Sequence, residues 1–171
     1  MVVQSLPPIP ADLAQQFDRL ENVCVKAREV GRVHVALPDC DPDAGCSAHA
    51  LKELVLPSAD MTIFCGDGTN KAFKERAPHF LKNVSVLPIT ALGNLKAVDP
   101  KAPLLLLDAA CIDQRNVGGP STVLPDVVID AHVGTNAKAT QARVVSHEYV
   151  ATGAILTDFI RERLFNNNPQ A

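Results

Sequence analysis

Apolar residues recur along this chain in two rhythms. Leu13, Phe17, Leu20, Val23 and Ala27 fall at helical spacing, which predicts an amphipathic helix over Ala11 to Glu29, ended by Gly31. Short, mostly apolar runs read instead as buried strands: Val33 to Leu37, Met61 to Cys65, Val84 to Ile89, Pro103 to Asp108, Asp126 to Asp130, and a sixth over Ala142 to Val145. Helical patterns separate them. These cover Ala48 to Leu56, closed by Pro57, then Asn70 to Leu81, a short turn within Ala91 to Val98, and Tyr149 to Leu164 with Ile155, Phe159 and Ile160 on its apolar side. Gly66-Asp-Gly68 makes a turn, and Gly118-Gly-Pro120 breaks the chain. Strands alternating with helices predict an α/β fold: a five- to six-stranded, mainly parallel sheet with helices on both faces. The run Leu104 to Leu107 is apolar throughout, as a strand covered on both faces should be.

The 171 residues fit one domain over 11–165, with a flexible proline-rich lead-in at 1–10 and a polar tail at 166–171. A net charge of −3 argues against a basic nucleic-acid footprint, and 4% aromatic content without Trp argues against a base-stacking platform. Met1 to Pro10 lacks the basic start and long apolar stretch of a signal peptide, and no apolar run reaches the length of a membrane span. Five cysteines with no CxxC pair suit reduced thiols and a cytoplasmic location.

Chemistry gathers at strand ends. Asp39, Asp41 and Asp43 follow the first strand, Asp108 ends the fourth, Asp130 ends the fifth, and His132 lies two residues on. Parallel strands present their carboxyl ends at one edge, so these groups can converge there. Anions so close repel, and a divalent cation removes the repulsion. Several carboxylates with one imidazole suit Mn²⁺ or Mg²⁺ better than Zn²⁺. Two such ions about 4 Å apart would clamp a phosphoryl group and acidify a water. The plainer reading is an Asp- and Pro-rich turn with Ser47 or Asp43 capping the next helix.

The same residues resemble the DHH phosphoesterase family, in its RecJ-like and nano-RNase-like forms. Asp41-Pro-Asp-Ala-Gly-Cys-Ser-Ala-His-Ala-Leu51 is similar to the first motif, and Asp39-x-Asp41-x-Asp43 to its form in RecJ-type exonucleases. Leu-Leu-Leu-Leu-Asp108 resembles the second, Val127-Val-Ile-Asp-Ala-His-Val-Gly-Thr-Asn136 the third, and Val150-Ala-Thr-Gly-Ala-Ile-Leu156 the helix after the fourth. The resemblance spans residues 12 to 165. It implies hydrolysis of phosphate esters, phosphodiesters or phosphoanhydrides at a pair of Mn²⁺ or Mg²⁺ ions, with a nucleotide or short oligonucleotide as substrate. On it, Asp41 and Asp43 are metal ligands, Asp108 bridges the metals, and His132, beside Asp130, sits near the leaving group or phosphate.

Three positions depart from the family pattern. Ala131 replaces the first His of the triplet, leaving Asp130-Ala131-His132. Leu37 stands where a His often precedes the first Asp pair. His34 lies an odd number of residues earlier, on the opposite face of the strand. The fourth-motif Asp is missing, with Ser146 or Glu148 near its place. No second, substrate-holding domain is expected after Leu164, so a second copy or a partner protein would complete the site. Two outcomes follow: a divergent hydrolase with one good metal site on Asp39, Asp41, Asp43 and Asp108, or a catalytically degenerate relative that binds or scaffolds. A receiver- or flavodoxin-like module is the reading from another class.

Lesser candidates have plainer explanations. Cys65-Gly-Asp-Gly-Thr-Asn-Lys71 could cradle a phosphate, but Thr69 capping a helix explains it as well. Cys40, Cys46 and His49 have the wrong spacing for zinc, and Cys111 has no visible His partner.

Overall fold

The computed structural model describes residues 9–66, 78–94, 99–110, 123–132, 137–146 and 148–163. Helix α1 (Ala11–Val30) precedes strand β1 (Arg32–Leu37). Gly31 ends α1 at φ 74°, in the left-handed region that glycine enters without penalty, and its N–H closes onto Ala27 and Arg28. Helix α2 (Pro42–Ala50) follows and widens into a π-helical turn (Leu51–Val55). Strand β2 (Asp60–Cys65), helix α3 (Pro78–Lys82), strand β3 (Ser85–Pro88) and a 3-10 turn (Ile89–Ala91) come next. Strands β4 (Leu104–Leu107), β5 (Val127–Asp130) and β6 (Ala142–Val145) lead to helix α4 (Thr152–Arg161).

The six strands form one sheet in the order β3-β2-β1-β4-β5-β6, and every neighbouring pair is parallel. The α/β class expected from the sequence is therefore what the chain adopts. Alternation along each strand sorts the core into two layers. Val33, Val35, Leu37, Leu105, Leu107 and Ile129 pack with α1, α2, α3 and α4 on one face. Ala36, Phe64, Leu104, Leu106 and Val128 pack on the other, with Ile89 of the 3-10 turn and Leu92 just after it. Burial on both faces explains strands such as Leu104–Leu107 that carry no polar residue. Phe17 of α1 and Phe159 of α4 meet edge to face at 5.5 Å and pin the two helices together.

Two helix starts differ from the periodicity. Helix α2 begins at Pro42 rather than Ala48, because Asp41 accepts the Ala44 N–H at 2.9 Å and Pro42 is preset for the first helical position. Neither Ser47 nor Asp43 is the cap. Helix α4 begins at Thr152 rather than Tyr149; Val150 stays fully exposed, and the Tyr149 hydroxyl donates to Asp158 at 2.6 Å. No described helix is long and apolar enough to cross a membrane. The expected helix over Asn70–Leu81 is described only from Pro78. The Cys65–Lys71 turn beyond Gly66, the Gly118–Pro120 break, Cys111 and the two chain ends lie outside the described residues.

Candidate metal centre

In this all-parallel sheet the order in which strands are added reverses between β1 and β4, and ligands of open parallel sheets bind at the carboxyl edge of such a point. Asp108 follows β4 there. It is the one non-glycine residue with positive φ among those described, at 59°. Short Asp and Asn side chains tolerate that bend better than most. The Asp108 N–H still donates to the Ile129 carbonyl at 2.9 Å, so the bend is held against β5.

Asp130 ends β5 with no solvent exposure. Its Oδ1 lies 2.6 Å from His132 Nδ1 and accepts the His132 backbone N–H at 3.1 Å. His132 Nδ1 is also 3.6 Å from Asp108 Oδ1. Each of Asp108, Asp130 and His132 thus offers a ligand atom within 4.8 Å of the other two, and no other group of acid, His or Cys side chains meets that spacing among the described residues. Asp130 Oδ2 is buried without a hydrogen-bond partner among the described residues. An uncompensated buried carboxylate oxygen is costly. Two carboxylates and an imidazole, with no thiolate, form a donor set that fits Mn²⁺ or Mg²⁺.

The acids after β1 are used differently. Asp41 caps its own helix. Asp43, in the first turn of α2, reaches across to α4: Oδ2 accepts the Thr152 N–H at 2.8 Å, and Oδ1 accepts the Gly153 N–H at 3.0 Å. A methyl group at Gly153 would sit 3.1 Å from Asp43 Oδ1, so glycine permits this approach. Asp39 is half-buried ahead of α2, and its carbonyl accepts the Asp41 N–H at 2.8 Å. Asp39, Asp41 and Asp43 therefore do not join the tight group. Asp41 and Asp43 still act on it electrostatically. Burial pushes the Asp108 carboxyl up to about 6; the Thr152 hydroxyl opposes this, the charges of Asp41 and Asp43 add to it, and His132 opposes it.

Thr152 was not among the residues that sequence patterns single out. It is fully buried, its hydroxyl donates to Asp108 Oδ1 at 2.9 Å and accepts the Ala131 N–H at 3.3 Å. Its only sequence signal is its place in Val150-Ala-Thr-Gly-Ala-Ile-Leu156. His34 lies on the opposite sheet face from Leu37, as alternation requires; its ring meets Phe64 at 5.6 Å, and its Nε2 is 3.9 Å from Asp99. Cys40 is buried, Cys46 is exposed, and His49 stacks on Phe80 at 4.8 Å, so these three build no zinc site. No disulfide joins the described cysteines to one another, and burial pushes the Cys24 thiol up to about 12.

No protein-family model matches the chain, and no curated protein matches it. Among solved structures, the D-arabinose dehydrogenase from Sulfolobus solfataricus matches with a TM-score of 0.46 and 11% sequence identity, over 94% of this chain and 53% of that one. The chain spans about half the length of that protein.

Proposed function

We propose that this chain is a divergent DHH-type phosphoesterase, which hydrolyses a phosphate ester or phosphodiester of a nucleotide or short oligonucleotide with Mn²⁺ or Mg²⁺. The observation that carries the reading is the meeting of Asp108, Asp130 and His132 from two strand ends, with one buried Asp130 oxygen left without a hydrogen-bond partner among the described residues. These three residues would hold the ion, and Asp41 and Asp43 would deepen the negative potential around it. A bound divalent ion offsets charge on phosphoryl oxygens and acidifies a water. Asp130 engages His132 through Nδ1 and so sets the ring's orientation. With Nδ1 turned toward the two acids and the ion they would hold, Nε2 carries the ring's proton and can donate it in a hydrogen bond to a phosphate or leaving-group oxygen.

The strand order also serves dinucleotide-binding domains. Here the turn after β1 carries Asp39, Asp41 and Asp43 and has no glycine before Gly45, so it would repel a pyrophosphate rather than cradle it. One observation favours a second reading, binding without turnover. Ala131, at the position of the expected His, packs partly against the core and gives the centre only its backbone N–H.

Calorimetric titration with Mn²⁺, run beside a chromogenic phosphodiester assay, separates the readings. Wild type is expected to bind and hydrolyse; Asp108→Ala is expected to do neither. Binding without hydrolysis selects the second reading, and absence of Mn²⁺ binding overturns both.

A further inference from the structure

A threonine in the first turn of a helix ordinarily serves that helix, by returning its oxygen to a nearby backbone N–H. Thr152 does not. The residue before it, Ala151, provides no side-chain cap for α4. The free N–H groups of Thr152 and Gly153 are satisfied instead by Asp43, 109 and 110 positions earlier in the chain. That leaves the Thr152 hydroxyl for another task, and it spends its proton on Asp108 Oδ1. A hydroxyl carries one donor and two acceptor lone pairs. With the proton committed to Asp108, its oxygen faces the Ala131 N–H as an acceptor.

One fully buried residue therefore touches three elements: α2 through Asp43, the end of β4 through Asp108, and the segment after β5 between Asp130 and His132. We infer that Thr152 is a positioning residue of the metal centre, fixing Asp108 relative to Asp130 and His132 through its hydroxyl. The inference rests on the metal-binding reading above. The Asp108 backbone is held against β5 by its N–H bond to Ile129, and the Thr152 hydroxyl is the contact that fixes its carboxylate. A β-branched side chain supplies it in a restricted set of rotamers, so the oxygen does not wander. Outer partners of this kind typically change metal affinity by about 10- to 100-fold when removed.

The test compares Mn²⁺ affinity by calorimetry in wild type, Thr152→Val and Thr152→Ser, at a temperature where metal-free melting shows all three folded. Thr152→Val keeps the shape and loses the hydroxyl; its Mn²⁺ affinity is expected to fall about 10- to 100-fold. Thr152→Ser keeps the hydroxyl and is expected to stay within about threefold of wild type, well short of that loss. A merely structural role would lower the melting temperature of Thr152→Val and leave the affinity of the folded protein alone. Equal affinity in wild type and Thr152→Val overturns the inference, as does a serine variant as weak as the valine one. If Thr152→Val does not fold, hydrogen exchange at the Ala131 amide of wild type decides. Mn²⁺ should slow it about tenfold if the bridge belongs to the centre, within the range of such outer contacts, and unchanged exchange overturns the inference. Wild type that fails to bind Mn²⁺ at all overturns the metal-binding reading itself, a separate result.

Discussion

Two groups of acids, one after β1 and one after β4 and β5, lie side by side at the same sheet edge and do opposite jobs. After β1, Asp41 and Asp43 give their oxygens to backbone N–H groups, one at the start of α2 and one at the start of α4. After β4 and β5, Asp108 and Asp130 face each other and His132, and one carboxylate oxygen is left with no donor among the described residues. The first pair has its oxygens taken up by N–H groups and helix dipoles already in the fold, while its charge still reaches Asp108. The second pair is not, and it is there that an external cation has electrostatic work to do. Residue type alone does not distinguish the two; the partners within hydrogen-bond reach do.

Substitutions that swap the two roles test the contrast most directly. The largest effect is expected at Asp108. Asp108→Ala should weaken Mn²⁺ binding by about 100-fold or more, since it removes a ligand rather than an outer contact. Calorimetry checks this, and an unchanged affinity would merge the two groups of acids into one class.

The next effect is on stability against pH without metal. The folded Asp108 carboxyl titrates at about 6, against 3.8 for a free one. Below pH 4 both states hold the proton and nothing is lost. Between about 4 and 6 the folded chain keeps a proton that the unfolded chain has released, so stability falls as pH rises, and it levels off above 6. The loss amounts to about 3 kcal/mol at most. Asp108→Asn should remove this slope and be the more stable apo-protein at pH 7 in urea unfolding. Mn²⁺ should reverse the trend in wild type, because it favours the ionised carboxylate.

Asp43→Ala belongs to the other class. Loss of a charged acceptor for two N–H groups should cost about 2 kcal/mol of stability. Mn²⁺ affinity, measured on the folded protein, should change less than in Asp108→Ala. Asp41→Ala is the smallest of the set, about 1 kcal/mol, the ordinary value of a lost helix cap.

The sheet was legible because Val33–Leu37, Met61–Cys65 and Leu104–Leu107 are apolar runs with nothing to place them elsewhere. The acids that end β4 and β5 were legible for the same reason: a polar residue closing a buried strand stands out. The start of α2 was not, since Pro42 to Ser47 carries no apolar period, although the Asp41-Pro42 pair is itself a helix-start signal. The division of labour among the acids was hidden for a different reason. It depends on contacts such as Asp43 to Thr152 and Thr152 to Asp108, 109 and 44 positions apart, which no local pattern encodes.

The bend at Asp108 narrows what selection can put there. At φ 59° only glycine, asparagine and aspartate sit with little penalty, so a longer acid such as glutamate would keep the charge and lose the backbone. Drift at this position is thus channelled toward two neutral replacements, each of which would remove the Asp108 charge while leaving the sheet intact. A chain with this geometry is one nucleotide change away from trading an ionisable group at the sheet edge for durability.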